Sequence, residues 1–326
     1  MNKIIYHFSR PRLLGLALVF LVAPPVKISL ALESGSEFLR INTDARAGAM
    51  SSAGAASAMG ISAIAYNPAG IALMSKGEAA LSHSSWYLGS AHDFIGVGMV
   101  LGSGTRGSGL GVKKPYSPVV VGVSFTRLSS GDIEGRTVSR GRAGGYSAYD
   151  QAASLALARQ YGAYCAGVAV KYIESSIAGV KGTGYAVDLG LRRGLRRIPV
   201  SVGVAVQNIG SGIKYISQRD QLPLSVSAGI MFMPLAGFML NLDAIRYVYD
   251  KHTSYSLGTE YALFGGPGSM LGLSLRGGVN GGTGQSAAGA FSAGAGIRFM
   301  NADLDYAMSP ETRLGDTQRI TLKKKF

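Results

Sequence analysis

A single cysteine, Cys165, stands in 326 residues, which excludes an internal disulfide and any cysteine-built metal site. Histidine is almost as scarce: His7, His83, His92 and His252 are too few and too scattered for a metal cluster, and no metal or cofactor is implied. His83 and His92 flank one hairpin and read as interfacial residues. Charged residues amount to 15%. Long hydrophobic runs are missing beyond the first thirty residues, so a multi-span helical membrane protein is excluded. No collagen-like period appears, and 47% hydrophobic content argues against disorder. Catalytic motifs are absent too. No Gly-x-Ser-x-Gly elbow with partners is present, and Ser82 to Ser85 beside His83 offer only a scattered Ser-His pair. Gly102-Ser103-Gly104-Thr105-Arg106-Gly107 matches G-x-G-x-x-G after a strand, but no helix follows it. The chain reads as a non-enzyme without nucleic-acid partners.

Glycine and positive charge are abundant. The 47 glycines penalise helices, each by about 1 kcal/mol relative to alanine. The net charge of +14 suits nucleic acid or an anionic membrane face; an exported chain without a recognition module favours the membrane. Export is read from the N-terminus. Lys3, Arg10 and Arg12 precede an apolar run from Leu13 to Val22, and Ser29 and Ala31 make a small-x-small site, so residues 1–31 read as a signal peptide cleaved after Ala31. The run is too short to span a bilayer.

Beyond it a period of two takes over. Tyr185, Val187, Leu189 and Leu191 alternate with Gly184, Ala186, Asp188, Gly190 and Arg192, and the pattern recurs at Val200 to Gln207, Leu224 to Phe232 and Phe291 to Phe299. One face is large and apolar; the other is small or charged. That suits a barrel whose apolar face meets lipid and whose small face fills an interior. Fourteen such segments start near Ala79, Asp93, Pro118, Tyr146, Ala163, Thr183, Pro199, Leu222, Gly237, Thr253, Ser269, Ala287, Ala302 and Thr317. The fold expected is all-β, a 14-stranded antiparallel transmembrane β-barrel. Long odd-numbered connections, Leu128 to Gly145 and Ile209 to Gln221, alternate with short even-numbered ones at Gln160 to Gly162, Pro234 to Ala236 and Met300 to Asn301; Gly102 to Ser117 is the exception. The last strand ends on Phe326, a terminal signal for the barrel assembly machinery, with the Lys324 stem snorkelling toward headgroups.

Residues 32–76 lack the alternation and are rich in Ala, Gly and Ser, with Asp44-Ala45-Arg46-Ala47-Gly48-Ala49-Met50 followed by Asn67-Pro68-Ala69-Gly70. They read as a hatch that plugs the barrel of residues 77–326. Asp188, Arg192, Asp243, Glu260, Arg276, Arg298, Asp303 and Asp305 fall mostly on the small face, so they are expected to line the lumen as a hydrated salt-bridge network that holds the hatch, ahead of a polar substrate path. Arg192, Arg193, Arg196 and Arg197 read as a solvated turn contacting headgroups.

These pieces, with Asn208-Ile209-Gly210, Leu222-Pro223, Glu260-Tyr261, Arg276-Gly277-Gly278 and Asp305-Tyr306-Ala307, resemble the PorV-type outer-membrane proteins of the FadL-like superfamily. The resemblance runs from about Phe38 to Phe326. It implies a fourteen-stranded barrel with an N-terminal hatch, on whose motif Asn67, Pro68 and Ala69 fall, and a place in the bacterial outer membrane among its lipids. It further implies transport of hydrophobic small molecules such as long-chain fatty acids or, alternatively, an accessory role in type IX secretion, binding cargo or machinery. The chain is shorter than typical fatty-acid transporters.

Overall fold

The structure, a computed structural model, describes residues 34–102, 104–107, 113–195, 197–216, 218–265, 269–282, 291–310 and 315–326. The leader, its cleavage site, Ser103 of the glycine motif, Arg196 and the strand start near Ala287 lie outside the described residues. Fourteen strands close into one antiparallel sheet: β1 (Glu78–Ser85), β2 (Ala91–Leu101), β3 (Val119–Arg136), β4 (Arg142–Tyr161), β5 (Tyr164–Ile177), β6 (Val180–Leu195), β7 (Val200–Gly210), β8 (Ser225–Leu235), β9 (Phe238–Tyr247), β10 (His252–Phe264), β11 (Leu271–Gly282), β12 (Phe291–Phe299), β13 (Ala302–Ser309) and β14 (Thr317–Lys325). Each pairs with its chain neighbours, and β1 closes on β14 from Glu78↔Lys325 to Ser85↔Gln318. Closure leaves no unpaired edge, the condition for a sheet surrounded by hydrocarbon.

Side chains of large apolar residues stand outward and exposed along every strand: Leu81, Ile95, Leu155, Leu191, Leu242, Leu275 and Leu304 among them. A face this apolar is unsuited to water and fits hydrocarbon. No described helix is long and apolar enough to cross a membrane. At the end away from Phe326, one outward row in register changes character: His83↔Asp93, Asp93↔Arg127, Arg127↔Gln151 and Gln151↔Glu174. From Gln151 down β4 to Arg159 is eight residues; at ~3.4 Å per residue and ~40° tilt that is about 21 Å, close to the apolar band of such barrels.

The long connection anticipated at Leu128 to Gly145 is instead strand, because β3 and β4 continue their ladder to Arg136↔Arg142. Above the polar row both faces meet water, so the hydrophobic alternation fades while the hydrogen bonds persist. The Ile209 to Gln221 connection carries two short strands, Ile213–Tyr215 and Gln218–Asp220, the first bridged to β6 at Lys214↔Thr183. Within Gly102 to Ser117, Gly104–Gly107 pairs with Lys113–Tyr116.

Residues 34–77 lie against the inward face of the wall as one α-helix, α1 (Ala45–Ala49), and 3-10 turns at Glu37–Arg40, Ile61–Ala65 and Pro68–Leu73. Ile61, Ile64, Ile71 and Met74 pack with Phe94, Val120, Ala156, Cys165 and Ala169 of β2 to β5. Phe38 packs with Ala152, Ile173, Ala186, Ile213 and Leu222 near the opposite mouth. Burying each such large side chain is worth about 1.5–3 kcal/mol. The glycines of the inward face permit this approach: a Cβ at Gly190 would collide with Asn67, and one at Gly203 with the Ala55 carbonyl.

Candidate functional site

A segment with little regular structure, buried in a barrel, brings backbone N–H and C=O groups that need partners. The wall supplies them from side chains. Asp243 accepts from Ala55 N–H (2.6 Å), Glu78 from Ile61 N–H (2.9 Å) and Thr321 Oγ1 from Ala45 N–H (2.8 Å). Arg192 Nε donates to Ala56 O (2.6 Å) and Gln207 Nε2 to Ala65 O (2.8 Å). Arg192 thus points inward to the segment rather than joining Arg193 and Arg197 at a solvated turn.

Asn67 organises the following turn. Its Oδ1 accepts from Ala69 N–H (3.0 Å), capping the 3-10 helix that Pro68 opens, while Nδ2 donates to Ala55 O (2.7 Å) and Leu191 O (3.2 Å). Ala69 and Gly70 follow, buried against the wall. Asp44 caps α1 by accepting from Ala47 N–H (3.0 Å) and forms an ion pair with Lys323 of β14. Burial opposes ionisation of Asp44, yet the Lys323 ammonium, the Ala47 N–H and Arg46 hold its carboxyl well below the usual range.

Arg46 reaches Glu260 (2.7 Å), which also takes Arg276 Nε (2.6 Å), and Arg276 Nη1 continues to Asp305 (2.6 Å). Arg298 pairs with Asp303 (2.7 Å) nearer the end that bears Phe326, apart from that chain. Asp188 is fully buried, 2.6 Å from Lys171, and accepts from Asn208 N–H (2.8 Å). Asn208 sits at positive φ (+62°) in a bulge of β7, and its Oδ1 takes a bond from Lys171 (2.8 Å). Lys171, Asn208, Lys323 and Thr321 are members of this lining beyond those read from sequence. Lys171 was legible as a lysine in the inward phase of β5; the bulge that brings Asn208 to it was not.

His83 and His92 are separated by the wall. His83 Nδ1 meets Asp93 on the outward face (2.7 Å), whereas His92 is inward and only 1% exposed, so it is a buried residue and not an interfacial one. Among the described residues no group of three potential metal ligands occurs.

The mouth away from Phe326 is closed by a latch. Arg40 pairs with Asp250 and with Glu37 (2.7 Å), and its guanidinium lies 4.1 Å from the Tyr247 ring centre. Ser34 bonds Asp250 and forms a lone bridge with Gln221. Beneath it lies a cavity of about 30 Å³ bordered by Phe38, Ile41, Ile64, Phe94, Ala152 and Lys171. That is water-sized room, too little for a hydrocarbon ligand while the segment stays put.

The barrel fold has solved counterparts. The CymD monoaromatic hydrocarbon channel superposes with a TM-score of 0.56 at 13% identity, over 87% of this chain and 97% of its own. The fold is that of the hydrocarbon channels. The toluene transporter TodX of P. putida gives 0.55 at 13%, over 86% and 98%, and a FadL homologue of Pseudomonas aeruginosa gives 0.51 at 10%, over 86% and 97%. No family model and no curated protein matches the sequence.

Proposed function

We propose that the chain is an outer-membrane conduit for hydrophobic small molecules, long-chain fatty acids among them, gated by the N-terminal hatch. One observation carries the reading: among the described residues the hatch shares a single isolated β-bridge with the wall, Ser34 to Gln221, and is otherwise held by side chains. It can therefore shift without unzipping the barrel. Solved proteins of this fold include a toluene transporter, which supports an apolar cargo. The lining, apolar at Phe38, Ile41, Ile64 and Phe94 and polar at Thr43, Ser124, Thr126, Ser154 and the Lys171 ammonium, suits an amphiphile with an acidic head. No covalent chemistry is needed: an apolar solute crosses a polysaccharide-covered leaflet slowly, and a cavity enlarged by hatch movement lets it pass.

The test is uptake of labelled palmitate, with toluene as the comparison, in a transporter-deficient host. Wild-type protein is expected to exceed the empty vector, and Asn67→Ala with Pro68→Ala to change the rate at unaltered barrel yield. Correctly assembled wild-type barrel with neither uptake nor detergent-phase binding would overturn transport. The second reading, a PorV-like accessory of type IX secretion, then leads; it is favoured by the closed lumen and by the ribbon that β3 and β4 raise above the polar row.

A further inference from the structure

The two ends of the barrel differ in charge. Counted over the described residues from Lys76 onward by the strand end or connection to which each belongs, the end bearing Phe326 has twelve basic residues against two acidic ones, Glu78 and Asp303; the other end has ten against eight. The excess of positive charge is therefore concentrated at one end, and Glu78 there is buried.

The outward rows at the two ends are built differently. In the row away from Phe326, carboxylates take the neighbouring groups: His83 meets Asp93, Lys181 meets Glu174 (3.3 Å), and Tyr149 and Gln151 also bond Glu174, while Arg127 lies 4.6 Å from the Tyr149 ring centre. At the end bearing Phe326 two outward arginines also lie on aromatic rings. Arg159 is 5.0 Å from the Tyr161 ring centre and Arg193 is 4.7 Å from that of Tyr164, with Tyr161 and Tyr164 directly paired at the β4–β5 turn. Both tyrosines are half exposed. Lys324 stands outward on β14 beside exposed Phe326. Arg298 and Lys325, by contrast, share Asp303. Arg193, Arg197 and Lys324 face no carboxylate among the described residues.

We propose that this end is a docking surface for anionic phospholipid, with headgroup phosphates held by Arg193 and Lys324. The position selects lipid over a soluble acidic partner: these groups border the apolar band on the outward face, where headgroups lie, and rings at that depth are interfacial anchors. A guanidinium stacked by one face on a ring keeps its N–H edge for a phosphate. Each basic group near an anionic surface is worth about five-fold in lipid association, and the effect is screened by salt.

The experiment uses full-length folded protein equilibrated with mixed micelles of phosphatidylglycerol and phosphatidylcholine, with retained lipid counted by native mass spectrometry. Wild-type protein is expected to retain phosphatidylglycerol preferentially, by roughly five-fold or more at low salt, with the preference lost in high salt. Arg193→Gln with Lys324→Gln should abolish it. Arg136→Gln with Arg142→Gln, at the other end and beside Glu134, should leave it intact. Heat-dependent gel mobility reports folding, and if the double variant does not fold, the wild-type preference and its loss in salt decide. Equal retention of both lipids by wild-type protein, or the same loss in both variants, overturns the proposal.

Discussion

Asp44 joins the hatch to itself and to the wall with one carboxylate: it caps α1 at Ala47 and pairs with Lys323. Replacing it with Asn leaves a buried ammonium without its counter-charge, a change that costs ~3–5 kcal/mol in buried pairs. The pH dependence follows from the sign of the shift. A carboxyl depressed in the folded state contributes stability above its unfolded value, about 3.9, and that contribution is lost only as pH falls toward the lower folded value. The melting difference between wild type and Asp44→Asn is therefore expected to be constant from pH 8 to about 5 and to shrink below about 4; a difference that declines already between pH 7 and 5 would disprove the assignment. The residues of this site were partly legible. Charges in the inward phase of a strand, such as Glu260, Arg276 and Asp305, declare their side by parity, and Asn before Pro declares a capped turn. Partners are another matter: that Arg46 meets Glu260, or that Asp243 serves the Ala55 N–H, depends on how an irregular segment lies in the barrel, which no periodicity encodes.

Strands were legible where lipid stands on one side and packed interior on the other, since that contrast writes the period of two. Observed starts such as Glu78, Val200, Phe238 and His252 fall within a residue of those read at Ala79, Pro199, Gly237 and Thr253. Legibility stopped where the contrast stops, in the ribbon beyond Arg127, where strand and loop have the same polar composition. The last strand has a further feature at its end. Phe326 N–H donates to Gly77 O (2.9 Å), and its ring lies so close to Gly77 that a Cβ there would collide. The terminal residue thus ties β14 to the chain entering β1, next to the seam that must form last when a barrel closes. Deleting Phe326 is expected to lower the amount of heat-modifiable barrel in the outer-membrane fraction severalfold, both by removing this contact and by removing the proposed assembly signal. Unchanged yield would show that closure and targeting need neither.

The whole barrel is uneven in height: β1 and β13 have eight residues, while β3 has 18 and β4 has 20. The short wall closes at the β1–β14 seam beside Phe326, and the tall wall carries the ribbon. Residues above the Arg127↔Gln151 pair bury no large apolar cluster of their own; Val138 and Tyr146 are exposed. Their ladder hydrogen bonds are solvated, so each contributes little net stability. The barrel should not depend on them. Joining Ser129 to Tyr149, which are paired across the ladder, through an Asn-Gly turn suited to a two-residue hairpin is expected to leave the strand-dominated circular dichroism and the heat-dependent mobility shift in place. The same variant separates the two functional readings, because the hatch and the cavity beneath the latch lie within the barrel, whereas a partner reaching the protein from outside meets the ribbon first. Under transport, palmitate uptake by the shortened barrel equals that of wild type. If uptake disappears while the mobility shift remains, the ribbon takes part in gathering ligand, and the assignment of the working site to the lumen alone fails.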